Sequence, residues 1–235
     1  MKKPKHFSII IPAHNEERRI KRTLERFYKF FSKKYKIEII VVCDGNSDKT
    51  ESIVQEFAAK RKNIKLLTFP TRLGKGGGIL KGIKAARGDI IGYVDADSAT
   101  RPQDYNKIFQ TLITKNLDGA VASRYLKESK ILIEQPLYRI FLSRGWNLIV
   151  HTLFQIPFTD TQCGAKIFTA KALEFVVPKM ETYGFEFDVE LLWRMQRSGF
   201  RINEVPITWE HKEQSKFVVS DIIGMLIRLI RVRLS

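Results

Sequence analysis

Runs of β-branched and other apolar residues, bounded by turn-forming residues, recur along the chain: FSIII at 7–11, IEIIVV at 37–42, IKLLTF at 64–69, DIIGYV at 89–94 and GAVAS at 119–123. The segments between them open with helix-start signals, such as Asn15 before Glu16 and Glu17, and Ser47 and Asp48 before KTESIVQEFAAK. Continuous apolar runs suit strands buried on both faces, so the alternation predicts an α/β fold with a mostly parallel sheet flanked by helices. No linker, repeat or low-complexity tract interrupts it, and 235 residues suffice for one sizeable core.

In such a sheet, ligands collect beyond the carboxyl ends of the strands. The unusual polar residues stand there: PAHNE after the first run, CDGNSD after the second, PTRLGKGGG after the third and DADSAT after the fourth. Asp95 and Asp97, one residue apart, can face one ligand. Two carboxylates that close repel each other, so a cation is expected, and oxygen donors of this type suit Mg²⁺ or Mn²⁺ bridging to substrate phosphates. The plainer reading makes Asp97 or Ser98 a helix cap before RPQDYNKIF. RLGKGGGI fails both the P-loop and the dinucleotide spacing, leaving a loop that can approach a ligand closely and one cation, Lys75. Asp44 either accepts hydrogen bonds from a nucleoside or forms an Asx-turn.

Composition narrows the partners. Lys and Arg number 41 against 25 Asp and Glu, a net charge of +16 that favours phosphorylated substrates, anionic lipid or nucleic acid. No interleaved aromatic and basic motif of the nucleic-acid modules occurs, so no nucleic acid is expected. Cys43 and Cys163 lack metal or disulfide spacing, which fits a reduced, cytosolic chain. The basic start runs into an apolar stretch too short for a signal peptide, and nothing offers the roughly 20 apolar residues of a membrane span.

The last segment, FVVSDIIGMLIRLIRVRLS, predicts an amphipathic helix set apart from a main domain at 1–215 and occupying 216–235. Its apolar residues gain roughly 0.3 to 0.6 kcal/mol each on insertion, whereas each buried charge costs about 2.5 to 3.5, so spanning loses. Asp221, Gly224, Arg228, Arg231 and Ser235 share one stripe, and the remaining apolar face can lie on a bilayer or dock on the protein itself. RGWNLIVHTLFQIPF at 144–158 is a second apolar, aromatic segment.

SIIIPAHNEE, EIIVVCDGNSDKT, GKGGGILKGIKAARGDIIGYVDAD and SRY stand in the order and spacing of the family 2 glycosyltransferases, whose fold is GT-A, a Rossmann-like sheet. The resemblance covers residues 6–210. Within that family the chain resembles the dolichyl-phosphate sugar synthases, and DTQCGAKIF at 160–168 with FDVELL at 187–192 is most similar to the dolichyl-phosphate β-glucosyltransferase branch. The resemblance implies that Pro12, Ala13, Asn15 and Glu16 line the nucleotide site, Asp44 recognises the base, and Lys75 lies by the nucleotide. It implies that Asp95 addresses ribose and diphosphate and that Asp97, beside Asp95, ligates the metal. Arg124, Arg139 and Ser143 match positions that hold an acceptor phosphate, and Arg144 joins that arginine cluster. Ala99 stands where the mannosyl branch often has a glutamine, so a third protein ligand is in question.

The activity so implied is metal-dependent, inverting transfer from a nucleotide sugar, UDP-glucose or UDP-N-acetylglucosamine, to a polyprenyl phosphate at the cytoplasmic face of a membrane. A phosphate acceptor is already ionised and needs no strong base. A carbohydrate hydroxyl would need one, and Asp188 is the candidate, with Asp160 weaker. His14 lies in the nucleotide loop, His151 and His211 form no metal spacing with it, and WEHKEQSKF at 209–217 is a candidate lid.

Overall fold

In the computed structural model, residues 6–133, 137–210 and 221–234 are described, without the side chains of 137–143 and of 221 and 222. All five expected strands form: β1 (Phe7–Ala13), β2 (Ile37–Asp44), β3 (Ile64–Phe69), β4 (Ile90–Val94) and β5 (Gly119–Ser123). Between them run α1 (Ile20–Phe31), α2 (Thr50–Ala59), α3 (Gly74–Ala85) and α4 (Pro102–Thr114). The second half adds β6 (Lys130–Ile133), α5 (Leu137–Phe154), β7 (Ala165–Thr169), α6 (Ala170–Val176), α7 (Phe187–Arg197), β8 (Ile202–Pro206), β9 (Thr208–Glu210) and α8 (Asp221–Leu234).

Seven strands make one sheet in the order β3-β2-β1-β4-β7-β5-β8, and β6 pairs with β9 apart from it. β1 lies parallel to both β2 and β4, β2 to β3, and β5 to β8. β7 is antiparallel to both its neighbours, β4 and β5. The sheet is therefore mostly parallel, as expected, with one reversed strand that the apolar pattern did not reveal.

Alternate residues of the central strands feed two cores, as the period of two requires. Phe7, Ile9 and Ile11 of β1 with Ile39 and Val41 of β2 pack under α1, α2 and α4. Ile10, Ile40 and Val42 face the other way, toward α3, α6, α7 and α8. On α1, Ile20, Leu24, Phe27 and Phe31 recur at helical spacing, and all are buried.

The C-terminal helix docks on the protein itself along one stripe and leaves a second apolar stripe exposed. Met225, Leu229 and Val232 are buried in the second core, and Arg228 Nε meets Glu186 Oε1 at 2.6 Å. A second apolar stripe, Ile223, Ile227, Ile230 and Leu234, is 41 to 82% exposed. The helix thus shares the main core, while the expected 215/216 boundary lies outside the described residues. No described helix is long and apolar enough to cross a membrane.

Candidate active site

The strand order turns at β1 and β4, which places a crevice beyond their carboxyl ends. The loops after the first four strands are tied together there. Pro12 and Ala13 end β1. Asn15, at φ 51°, donates its amide to Asn46 Oδ1 at 2.6 Å and accepts from the Ser47 amide at 2.8 Å. The Glu16 amide donates to Thr50 Oγ1 at 2.6 Å, and the Glu16 carboxylate lies 2.6 Å from Arg19 Nη2. His14 Nδ1 sits 2.6 Å from the Asp44 carbonyl oxygen.

Asp44 closes this clasp from the second strand. Its buried carboxylate accepts from the amides of Leu73 and Gly74, the latter at 3.1 Å, and Arg72 Nε stands 3.5 Å away. The group assigned to a base by resemblance meets loop amides in the structure, and it shapes the start of α3. Gly74 belongs there because its φ is +82° and a Cβ would overlap the Tyr183 carbonyl oxygen.

Lys75 follows in the first turn of α3, with Nζ 3.1 Å from Asp95 Oδ1 and 3.4 Å from Asp188 Oδ2. Burial works against this ammonium, but the two carboxylates outweigh it and hold its pKa above the ordinary lysine range. The cation that the acidic pair demanded is therefore supplied to Asp95 by the protein itself. The Asp95 amide donates to the Gly164 carbonyl at 3.0 Å, and any side chain at Gly164 would overlap the Asp95 carboxylate.

Asp97 sits in a turn of its own, accepting from the Ala99 amide at 2.8 Å. α4 starts later, at Pro102 with Arg101 before it and no side-chain cap, so neither Asp97 nor Ser98 caps the helix. Ser98, at φ 62°, is pinned instead: its Oγ lies 2.5 Å from Thr23 Oγ1, which also donates to the Ala96 carbonyl at 2.7 Å. Burial first and the neighbouring Asp95 second push the Asp97 carboxyl up to about 6.

That raised proton affinity marks a negative charge still short of compensation, which a cation would supply. Among the described residues no group of three or more His, Cys, Asp or Glu could hold a metal ion. Two carboxylates of this kind fit Mg²⁺ or Mn²⁺ completed by substrate oxygens and water, and do not fit an all-protein cage.

Beneath Asp95 lies a side chain that sequence reasoning passed over. Lys166, fully buried on β7, donates from Nζ to Asp188 Oδ1 at 2.7 Å and to the Cys163 carbonyl at 2.6 Å. Tyr93 Oη also donates to Asp188 Oδ1, at 2.5 Å. The available signal was a lysine inside the apolar run AKIFT. Asp188, expected as a base for a hydroxyl acceptor, is buried in the first turn of α7. Burial alone would raise its pKa, but Lys166 and Lys75 outweigh it and hold the carboxyl below the usual range, which makes it a poor proton acceptor.

The residues expected at the acceptor divide. Arg124 gives Nε and Nη2 to Asp160 Oδ2 and Oδ1 at 2.7 and 2.9 Å, and Asp160 is fully buried. Asp160 is thereby a partner to an arginine and no base. Arg139, Ser143 and Arg144 share α5; Arg144 is exposed, and the side chains of Arg139 and Ser143 lie outside the described residues. His211 and most of the candidate lid also lie outside them.

The profile of Glycosyl transferase family 2 matches residues 8–176. A dolichyl-phosphate β-glucosyltransferase of Trichomonas vaginalis is 34% identical over 237 residues, spanning 97% of this chain and 72% of that protein. The human dolichyl-phosphate β-glucosyltransferase is 30% identical over 227 residues, spanning 91% of this chain and 70% of its own. In shape, the chain is similar to glucosyl-3-phosphoglycerate synthase of Mycobacterium tuberculosis, solved with Mn²⁺, UDP and phosphoglyceric acid. The TM-score is 0.72 at 17% identity, over 98% of this chain and 78% of that one.

Proposed function

The chain belongs to glycosyl transferase family 2 and is a glycosyltransferase, and on that premise we propose that it moves a sugar from a nucleotide sugar to a polyprenyl phosphate such as dolichyl phosphate. UDP-glucose is the favoured donor, because the relatives are named as glucosyltransferases and the similar fold binds UDP, with UDP-N-acetylglucosamine next.

The observation that carries the choice of acceptor is Asp188. A hydroxyl acceptor needs a base that can take its proton, yet this carboxylate is held ionised between two lysines and buried. A phosphate oxygen is already an anion and needs none. In the proposed step that oxygen attacks C1 of the sugar from the side opposite the diphosphate. The bond from C1 to the diphosphate oxygen breaks, its electron pair leaves with the nucleoside diphosphate, and the anomeric configuration inverts.

Asp97, with Asp95, would hold Mg²⁺ or Mn²⁺, which would stabilise the charge developing on the diphosphate. Lys75 keeps Asp95 oriented at the same edge. The clasp of Pro12, Ala13, Asn15, Glu16 and Asp44 forms the nucleotide's wall. Arg139, Ser143 and Arg144 on α5 are proposed to hold the acceptor phosphate, while Arg124 supports that side through Asp160.

The exposed stripe of α8 supports a peripheral position on a membrane, in this reading at its cytoplasmic face and within reach of a lipid acceptor. α8 adjoins α5, with Arg233 Nε donating to the Leu153 carbonyl at 3.0 Å, and Leu148 and Ile149 on α5 are exposed as well. The net charge of +16 adds attraction to anionic headgroups.

The test is transfer of labelled sugar from UDP-glucose, UDP-N-acetylglucosamine and GDP-mannose to a short polyprenyl phosphate, with either metal and with chelator. A lipid-extractable product from a UDP-sugar, lost with chelator and with Asp97→Ala, is expected. Binding or hydrolysis of the donor with no labelled lipid would overturn the acceptor.

A further inference from the structure

We propose that Asp188 and Lys166 are positioning residues for the donor site: they hold Lys75, and Lys75 holds Asp95. The inference rests on the reading of the Asp95–Asp97 edge as the place where the nucleotide sugar binds.

Four charges alternate in a row. Lys166 Nζ is 2.7 Å from Asp188 Oδ1, Asp188 Oδ2 is 3.4 Å from Lys75 Nζ, and Lys75 Nζ is 3.1 Å from Asp95 Oδ1. Side-chain exposure rises along it, from 0% at Lys166 and 1% at Asp188 to 14% at Lys75 and 38% at Asp95. The row starts inside the sheet and ends at the substrate edge. Its members come from β7, α7, α3 and the residue after β4, so it exists only when all four elements are in place.

Asp188 has no face left for a substrate. Oδ1 accepts from Tyr93 and Lys166, Oδ2 faces Lys75, and the residue is buried. As scaffolding alone, such a row is an expensive choice, since well-packed apolar residues commonly do as well as a buried ion pair. Its value lies at its outer end. A lysine carries several rotatable bonds, and two carboxylates from different elements, both within 3.4 Å of the ammonium, fix where it points. Gly164 leaves room for the Asp95 carboxylate to meet it. Counting Asp97 with these four, the two ammonium ions offset Asp188 and Asp95 and leave the charge of Asp97 for the donor side.

Asp188→Asn removes one of the two anions that fix Lys75. The outcome separates a positioning role from a chemical one when read in two backgrounds, wild type and Lys75→Met. In wild type, Asp188→Asn is expected to lower kcat/KM for the donor about 100-fold, the usual size of a misplaced site group. In the Lys75→Met background it should add less than about 3-fold, because the residue through which it acts is gone. The acidic limb of the pH profile should stay where it is. Equal losses in both backgrounds, or an acidic limb that vanishes with Asp188→Asn, would overturn the proposal.

Lys166→Met is the second variant, expected to cost roughly tenfold in wild type and to add nothing measurable over Lys75→Met. Thermal melts of each variant identify losses that arise from unfolding. Calorimetric titration of the wild type with UDP and Mn²⁺ provides the separate check: no binding would overturn the donor-site reading, whereas binding with an additive cycle would overturn the positioning role alone.

Discussion

Arg124 and Asp160 meet as a fork on a carboxylate, Nε and Nη2 against the two oxygens at 2.7 and 2.9 Å, with Asp160 shut off from water. Breaking one partner of such a pair strands the other, so Arg124→Ala and Asp160→Ala should each cost about 3 to 5 kcal/mol of stability. Burial acts to raise the Asp160 pKa, but Arg124 outweighs it and depresses the value. A depressed carboxylate stabilises the fold above its unfolded pKa and loses that contribution as pH falls through the folded value. Urea unfolding at pH 7 and at low pH checks both points: a large loss at neutral pH that shrinks in acid is expected.

Asp97 has the opposite sign. Its carboxyl is raised to about 6, so ionising it opposes folding once the pH climbs above the unfolded carboxylate value near 3.9. In chelator at pH 7.5, Asp97→Asn should raise the unfolding free energy by roughly 1 to 2 kcal/mol while abolishing transfer. The gain should be gone by about pH 4. Melts at the two pH values measure it, and no gain at pH 7.5 would contradict the account.

The two stripes of α8 should respond differently. Leu229→Ala opens a cavity in the second core and should cost about 2 to 5 kcal/mol. Ile227→Glu with Ile230→Glu, on the exposed stripe, should leave the melting temperature nearly unchanged but reduce sedimentation with anionic lipid vesicles several-fold. Undiminished vesicle binding by the double variant would exclude this stripe as the membrane contact.

Both thiols should be inert in the folded protein. Cys43 and Cys163 are buried, and burial as the leading cause pushes each up to about 12. A thiol reagent at pH 8 is expected to label neither until denaturant is added, because the thiolate is the reactive form. Rapid labelling of the native chain would show otherwise.

The strands β1, β2, β4 and β5 and the loops after the first four strands were legible because a strand buried on both faces has a continuous apolar signature, and the half-exposed edge strand β3 was legible from its turn-bounded run IKLLTF. β7 was not. Its five residues, AKIFT, carry Lys166 in second place, and only distant partners, β4 and β5, make that stretch a strand. The same limit governs the site. Sequence spacing brings Asp95 and Asp97 to one edge, yet the partners of Asp44, Asp188 and Arg124 lie on other elements far along the chain, and no local pattern encodes them. For α8 the amphipathic period was readable, while the stripe that docks depends on the helices it meets.

The reversed strand also governs when the enzyme can come into being. β4 and β5 follow one another in the chain, yet β7 lies between them and is the sheet's bridge from one side to the other. The growing chain must therefore leave a slot that is filled only after residues 165–169 emerge. Long-range insertion of this kind slows folding and exposes unpaired strand edges in the interval. Because β7 carries Lys166 and follows Gly164, the step that seals this slot also sets the inner end of the row of charges behind Asp95, which is complete once α7 brings in Asp188. Catalytic competence should thus appear in refolding no earlier than closure of this slot, with no active species before it.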